Sequence, residues 1–255
     1  MKFWGRKLIS PTGALWVLSH TIMILLGALC LSAQLLHNAL GAGVSEGIGG
    51  SLIATGVAGI SLFLYIANSE AMRASVEMFT KAGLSAIYPG RSVLIRDQYQ
   101  PRLVKAQKID LIGYGLSSFR QDFLSEFVAW SHRAHVRILL PDPDFPTQAL
   151  SLADQRDREE NHPVGRTRAD IVAFEKSVSG LTGLKRSSFR VHRVSCIPSI
   201  NVFRIDDDIF WGPYLMHQQS RNTPTLLATR GGYLFSALEE HFEALWKQST
   251  PSPNC

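Results

Sequence analysis

Between Lys7 and Glu46 the chain has no Asp, Glu, Lys or Arg, and between Glu46 and Glu70 it again has none. Each gap holds an apolar run of about 20 residues, enough for a helix to cross a hydrocarbon core of roughly 30 Å. These absences exclude an ordinary water-soluble N-terminal region. Residues 13–36 and 47–67 read as two membrane helices, so that 1–68 forms a two-helix transmembrane hairpin.

Cysteine is scarce as well. Cys30, Cys196 and Cys255 give no disulfide framework, which suits a domain in a reducing compartment. Strong net charge is missing: +5 is weak evidence for a nucleic-acid partner. The basic residues gather after the second span, at Arg73, Lys81, Arg91, Arg96, Arg102, Lys105 and Lys108, where a juxtamembrane segment faces anionic headgroups. There is no glycine-rich phosphate loop, no Gly-x-Ser-x-Gly elbow and no zinc pattern, so no metal and no cofactor is expected. His132, His135, His217 and His241 lack partners for a metal set.

Lys2, Arg6 and Lys7 also suit the basic start of a cleaved signal peptide. The apolar run that follows is too long for that role, and no small-x-small cleavage site comes after it. The loop 37–46 carries one acid and no Lys or Arg. Flanking charge then puts both termini in the cytoplasm and a loop of about ten residues outside, in a bacterial inner membrane.

Within the second span Gly50, Ala54 and Ala58 recur every four residues, as do Ser51, Thr55 and Gly59. Small residues on one helical stripe let backbones approach closely in lipid. The stripe serves either the hairpin itself or the assembly of several hairpins. Neither span contains Asp, Glu, Lys or Arg, so a charge-lined ion path is not indicated.

Residues 69–90 read as an amphipathic connector, helical over 70–82 and broken at Gly83 and Pro89-Gly90. Residues 91–248 read as an α/β domain. Apolar runs at 109–115 (IDLIGYG), 136–140, 189–194 and 200–205 suit strands, and 119–132, 166–179 and 234–246 suit helices. A polar stretch, 154–161, lies between them, and 249–255 reads as a disordered tail. This order argues a sheet with flanking helices.

The segment Ser199-Ile-Asn201-Val-Phe-Arg-Ile-Asp206, followed by Asp207, Asp208 and Gly212, resembles the His-x-Lys-x4-Asp motif of the phospholipase D superfamily. The IDLIGYG strand, its helix, and RILLPDPDFP at 137–146 are similar to the first half of that fold. The resemblance covers roughly residues 83–247 and implies a mixed sheet flanked by helices. Ser199 stands where the nucleophilic histidine belongs and Asn201 where the phosphate-binding lysine belongs; only Asp206 is retained. Covalent phosphoryl transfer needs an imidazole and a cation. The resemblance therefore implies a pseudoenzyme without catalytic residues, whose phosphate-shaped pocket keeps a binding role. Ser199, Asn201, Asp206, His192 and Arg190 are its candidate ligand contacts. Because the family's site joins two motif halves and this chain has one, the resemblance implies a homodimer with Ser199, Asn201 and Asp206 near the symmetry axis. Asp142 and Asp144 sit at a strand end, where α/β sites gather but where Pro and Asp also simply make turns.

Three functions compete. Two spanning helices joined to a compact sensing domain resemble membrane effectors of bacterial anti-phage systems, those of retrons and of cyclic-oligonucleotide signalling. By that resemblance the chain is a homo-oligomer held inactive until infection, when the hairpin disrupts the bilayer and causes abortive infection. Its trigger would be an inhibitory or activating protein, a nucleic-acid complex or a cyclic nucleotide. The second reading is a membrane-anchored phosphodiesterase or nuclease with a relocated histidine, His192 or His217. The third is a non-enzymatic anchor or scaffold.

Overall fold

The computed structural model describes residues 11–90, 93–219, 222–253 and 255. Lys2, Arg6, Lys7 and Arg91 lie outside them. The chain divides into two compact units, 1–78 and 79–255.

The first unit is built on α1 (Pro11–Ser32), a short α2 (Gln34–Leu40) and α3 (Ala42–Ala82). The loop expected over 37–46 is not a loop: α2 fills its first part, Gly41 turns the chain with φ +85°, and Glu46 already lies inside α3. At 1.5 Å per residue α1 is about 33 Å long, and both α1 and α3 are long and apolar enough to cross a membrane. Leu15, Leu18, Leu25 and Leu29 of α1 and Val57, Leu62 and Ile66 of α3 are exposed. In water such a surface is unfavourable; against acyl chains it is what a span presents.

α1 and α3 pack antiparallel through glycines. A Cβ on Gly27 would lie 2.7 Å from Gly49 O, and one on Gly56 would lie 2.8 Å from His20 O and 2.5 Å from Ile24 Cγ1. A Cβ on Gly59 would overlap the His20 ring, and Trp16 Nε1 donates to Gly59 O at 3.3 Å. The packing face is thus Gly49, Ile53, Gly56 and Gly59. This corrects the even choice left at the expected stripe. Gly50 has open space where a Cβ would be, and Ser51, Ala54, Thr55 and Ala58 are exposed. Of those six small residues only Gly59 faces α1. The absence of charge in the spans also hid His20, half-buried between Trp16, whose ring stacks on it at 4.6 Å, and Gly59.

In the second unit Gly83, at φ +72°, ends α3 and starts β1 (Leu84–Tyr88), which enters the sheet beside β7. Any Cβ there would meet Thr229 O at 2.7 Å. The unit continues through α4 (Val93–Leu103), β2 (Lys108–Ile112), α5 (Ser117–Phe123), α6 (Phe127–Arg133), β3 (His135–Pro141), α7 (Leu152–Glu159), α8 (Arg166–Ser179), β4 (Phe189–Val194), β5 (Ile200–Ile205), β6 (Asp208–Pro213), β7 (Thr225–Thr229), α9 (Tyr233–Gln248) and β8 (Thr250–Pro251). The sheet order is β1-β7-β6-β5-β2-β3-β4-β8, with β2, β3 and β4 parallel and the other pairings antiparallel. It is a mixed sheet with helices on both faces.

Strand alternation assigns the two faces. Ile109, Leu111, Ile138, Phe203 and Ile205 pack under Phe123, Phe127, Trp130 and Phe174 of α5, α6 and α8. Ile112, Leu139, Val202 and Ile209 pack under Phe235, Leu238 and Phe242 of α9. The α9 face also holds a charge network. Asp110, 1% exposed, accepts from Arg137 Nε at 2.7 Å and Nη2 at 3.0 Å. Arg137 bridges onward to Glu243 at 2.6 Å, and Arg204 to Glu239 at 2.5 Å.

Two expected boundaries change. The connector drawn over 69–90 gives up β1 to the sheet, because Leu84–Tyr88 pairs along β7. Of the tail drawn as disordered over 249–255, residues 249–253 are part of the unit. β8 pairs with β4, and Ser252 is buried with its Oγ donating to Glu175 at 2.8 Å. Glu175, 0% exposed, also takes two 2.7 Å bonds from Arg193, so the tail seals a buried ion pair.

Candidate functional site

The five expected ligand contacts do not form one site. Ser199 stands exposed just before β5, its carbonyl accepting from Tyr214 N at 3.1 Å. Asn201 is 0% exposed and donates to Gly212 O on β6 at 2.9 Å, so it ties two strands together. Asp206 follows the far end of β5, roughly 20 Å of strand from Ser199. There it adopts φ +52° and accepts from Gln107 N (2.9 Å) and Lys108 N (2.7 Å). It is a turn residue. Ser199 and Asp206 lie at opposite ends of β5, so the three motif residues do not converge on one point.

His192 and Arg190 lie on β4, separated from β5 by β2 and β3. His192 stacks on Trp246 of α9 at 4.0 Å and shares a 2.9 Å hydrogen bond with Ser249 Oγ. Burial, and then the neighbouring Arg190 charge, push its pKa below the ordinary histidine value. Arg190 is exposed on the same face. The Asp run is consumed locally: Asp207 pairs with Arg230, and Asp208 with Arg102 at 2.6 Å. Asp142 accepts from Asp144 N at 3.1 Å, and Asp144 pairs with Arg168, which makes them turn residues. Exposed His217 places its backbone N–H on Glu159 O. Among the described residues no three His, Cys, Asp or Glu side chains are placed to hold a metal.

Because Asp206 satisfies two backbone donors at positive φ, Asp206→Ala is expected to lower stability by about 2 kcal/mol. Asp206→Asn, which tolerates that φ, is expected to keep about half of the loss from appearing. Thermal unfolding of the two variants checks this.

A concave feature of the second unit lies elsewhere: a cavity of about 300 Å³ between the β2 end of the sheet, α5 and α8. The IDLIGYG run forms one wall. A Cβ on Gly113 would overlap Leu116, and one on Gly115 would reach Asp170 Cβ at 2.5 Å, so both glycines permit contacts that larger residues forbid. The apolar walls are aromatic. Phe119 meets Phe203 edge-on at 5.3 Å, and Tyr114 meets Tyr214 at 4.7 Å. Tyr114 Oη donates to Pro198 O at 3.3 Å, and burial holds its phenol well above its usual pKa.

Arg156, only 3% exposed, lies over both tyrosine rings, 5.5 Å from Tyr114 and 5.0 Å from Tyr214. Its guanidinium is spent on Glu160 (2.5 and 2.9 Å), Glu159 (3.2 Å) and the carbonyls of Leu215 and Gln218. His162 sits between Glu160 (3.3 Å) and Gln219 (3.1 Å). The start of α8, which in other helices attracts anions, is already filled by buried Asp157, whose carboxylate accepts from Thr167 N (3.0 Å) and Oγ1 (2.7 Å). The phosphate-shaped pocket expected at the motif is therefore corrected. At this end of the sheet the lysine position is a strand tie, and the buried guanidinium and the helix start are both occupied.

Arg156, Glu160 and His162 fall in or beside the stretch read as merely polar. Ser151 Oγ caps α7 by accepting from Asp154 N at 3.1 Å, and Arg156 is buried. The Tyr in IDLIGYG was the one available signal, an aromatic at the end of a buried strand.

No protein-family model matches the chain, and no curated protein matches it. Solved structures similar to it include TrmBL2, an archaeal chromatin protein, with 11% identity over 81% of this chain and 70% of that one, at a TM-score of 0.41. Another is Nuc, a phospholipase D family member from Salmonella typhimurium, with 14% identity over 66% of this chain and 95% of that one, at 0.42. A third is the phosphatidylserine synthase of Haemophilus influenzae, with 10% identity over 65% of this chain and 38% of that one, at 0.41.

Proposed function

We propose that the chain is a two-span membrane effector whose globular unit senses a signal and whose hairpin acts on the bilayer. The observation that carries this reading is the continuous apolar surface that α1 and α3 turn outward, away from their glycine-packed seam. The motif spacing and the mixed sheet support kinship of the globular unit with the phospholipase D superfamily, as a member that binds rather than cleaves. Flanking charge supports a bacterial inner membrane with both termini cytoplasmic. The anti-phage role rests on the resemblance in domain organisation. The exposed stripe Gly50, Ala54 and Ala58 is the proposed contact between hairpins of a homo-oligomer.

In a bacterium expressing the full chain, Ala54→Leu and Ala58→Leu are each expected to cut depolarisation about 10-fold or more while insertion stays normal. Undiminished depolarisation in both removes the stripe from the account. A membrane-tethered phosphodiesterase is the alternative. With serine and asparagine at the motif, His192 under Trp246 and His162 held by Glu160 and Gln219, no hydrolysis of bis(p-nitrophenyl) phosphate by the purified chain is expected. Turnover that His162→Ala abolishes would reverse that assignment.

A further inference from the structure

We propose that the cavity beside β2 binds a flat aromatic molecule bearing an amine and discriminates against phosphates; this rests on the sensing role proposed above. Three carboxylates line the cavity, Asp122, Glu160 and Asp170, against two guanidiniums, Arg156 and Arg166. Arg156 is already committed to Glu159 and Glu160. Asp122 and Asp170 have no ion-pair partner among the described residues, and both border the aromatic walls. A ligand that stacks against Phe119 or Tyr214 and offers N–H groups to these carboxylates satisfies both surfaces at once. An anion would meet one uncommitted guanidinium, Arg166, against the two uncommitted carboxylates, with Thr167 N and Oγ1 at the α8 start already bound to Asp157. The volume, about 300 Å³, is at the lower end for small-molecule sites and suits one bicyclic or nucleoside-sized molecule.

Amino-bearing nucleobases and simple arylalkylamines share this chemistry, and the test separates them. The full chain in lipid nanodiscs is titrated calorimetrically with adenosine, cytidine, tyramine and AMP. At least one of the first three is expected to bind with a Kd of about 100 µM or below. Heat from the nucleosides alone assigns a nucleobase, and heat from tyramine alone assigns a simple amine. AMP is expected to bind at least about 10-fold more weakly than adenosine, or not at all. Asp170→Asn is expected to weaken the bound probe about 10-fold. Exposed Asp122→Asn gives the same readout should the first variant fold poorly; an unchanged unfolding midpoint separates lost binding from lost structure. Silence from all the probes, AMP binding as tightly as adenosine, or unchanged affinity in both variants overturns the proposal. A chain that depolarises membranes yet binds none of the probes keeps the effector reading and loses this one. A chain that binds but leaves the membrane intact does the reverse.

Discussion

Arg137→Met is expected to destabilise the globular unit by about 3–5 kcal/mol, the usual consequence of leaving one member of a buried ion pair alone. Asp110 is the member left behind. With 1% exposure it loses the two bonds that hold its carboxylate, and its remaining cations, Lys108 and Arg204, stand 3.7 Å away. The guanidinium also lies over Phe242 at 4.7 Å and Trp246 at 5.3 Å, so α9 loses one of its ties to the sheet while Arg204–Glu239 remains. For a unit of this size the loss amounts to roughly 10 °C in the unfolding midpoint. Removing both charges, as Asp110→Leu with Arg137→Met, is expected to recover much of the difference, because an apolar pair leaves nothing unsolvated. The same network sets an acid limit. Hydrogen bonds from Arg204 and Arg137 hold Glu239 and Glu243 below the ordinary glutamate value of 4.5. Carboxyls depressed in the folded state stabilise it above the unfolded value and lose that contribution as pH falls through the folded one. Stability is therefore expected to be flat near neutrality and to decline below about pH 4.5, with α9 helicity lost in the same range.

Gly56→Leu is expected to abolish membrane activity while the chain still inserts. A side chain there meets the backbone carbonyl of His20 and the Ile24 side chain, and a helix backbone cannot yield as a rotamer does. In lipid no hydrophobic force compensates for lost contact, so close approach at Gly27, Gly49 and Gly56 is what holds α1 to α3. Gly47→Leu, where a Cβ meets open space, is the matched control and is expected to behave like the parent chain. Propidium iodide entry, normalised to the amount of chain in the membrane fraction, measures the contrast. Equal entry for both variants would mean that the α1–α3 seam plays no part in the activity.

The sequence reading succeeded where burial imposes a period. Segments 166–179, 189–194 and 200–205 coincide with α8, β4 and β5 because one or both faces of each are core. It failed where short elements owe their structure to partners distant in sequence. β1 and β7 pair with each other although Tyr88 and Thr225 are far apart in the chain, and β8 exists because β4 offers an edge. The stretch 119–132 read as one helix is two, α5 and α6, separated by a tight turn over Leu124–Glu126. The motif illustrates a different limit. Its spacing was legible, but one strand carries Ser199 and Asp206 to opposite ends of the sheet, and buried Asn201 spends its amide on Gly212. Nor does composition reveal a small-residue stripe's direction: Gly50, Ala54 and Ala58 recur every four residues, yet the seam with α1 is made at Gly49 and Gly56.

The most direct measurement is membrane potential in a bacterium inducibly expressing either the full chain or a chain beginning at Ser69, at matched levels. The account predicts depolarisation and loss of viability with the full chain and an unaltered potential without the hairpin. An unchanged potential with the full chain, both during phage infection and outside it, would contradict the effector reading and leave an anchor in its place.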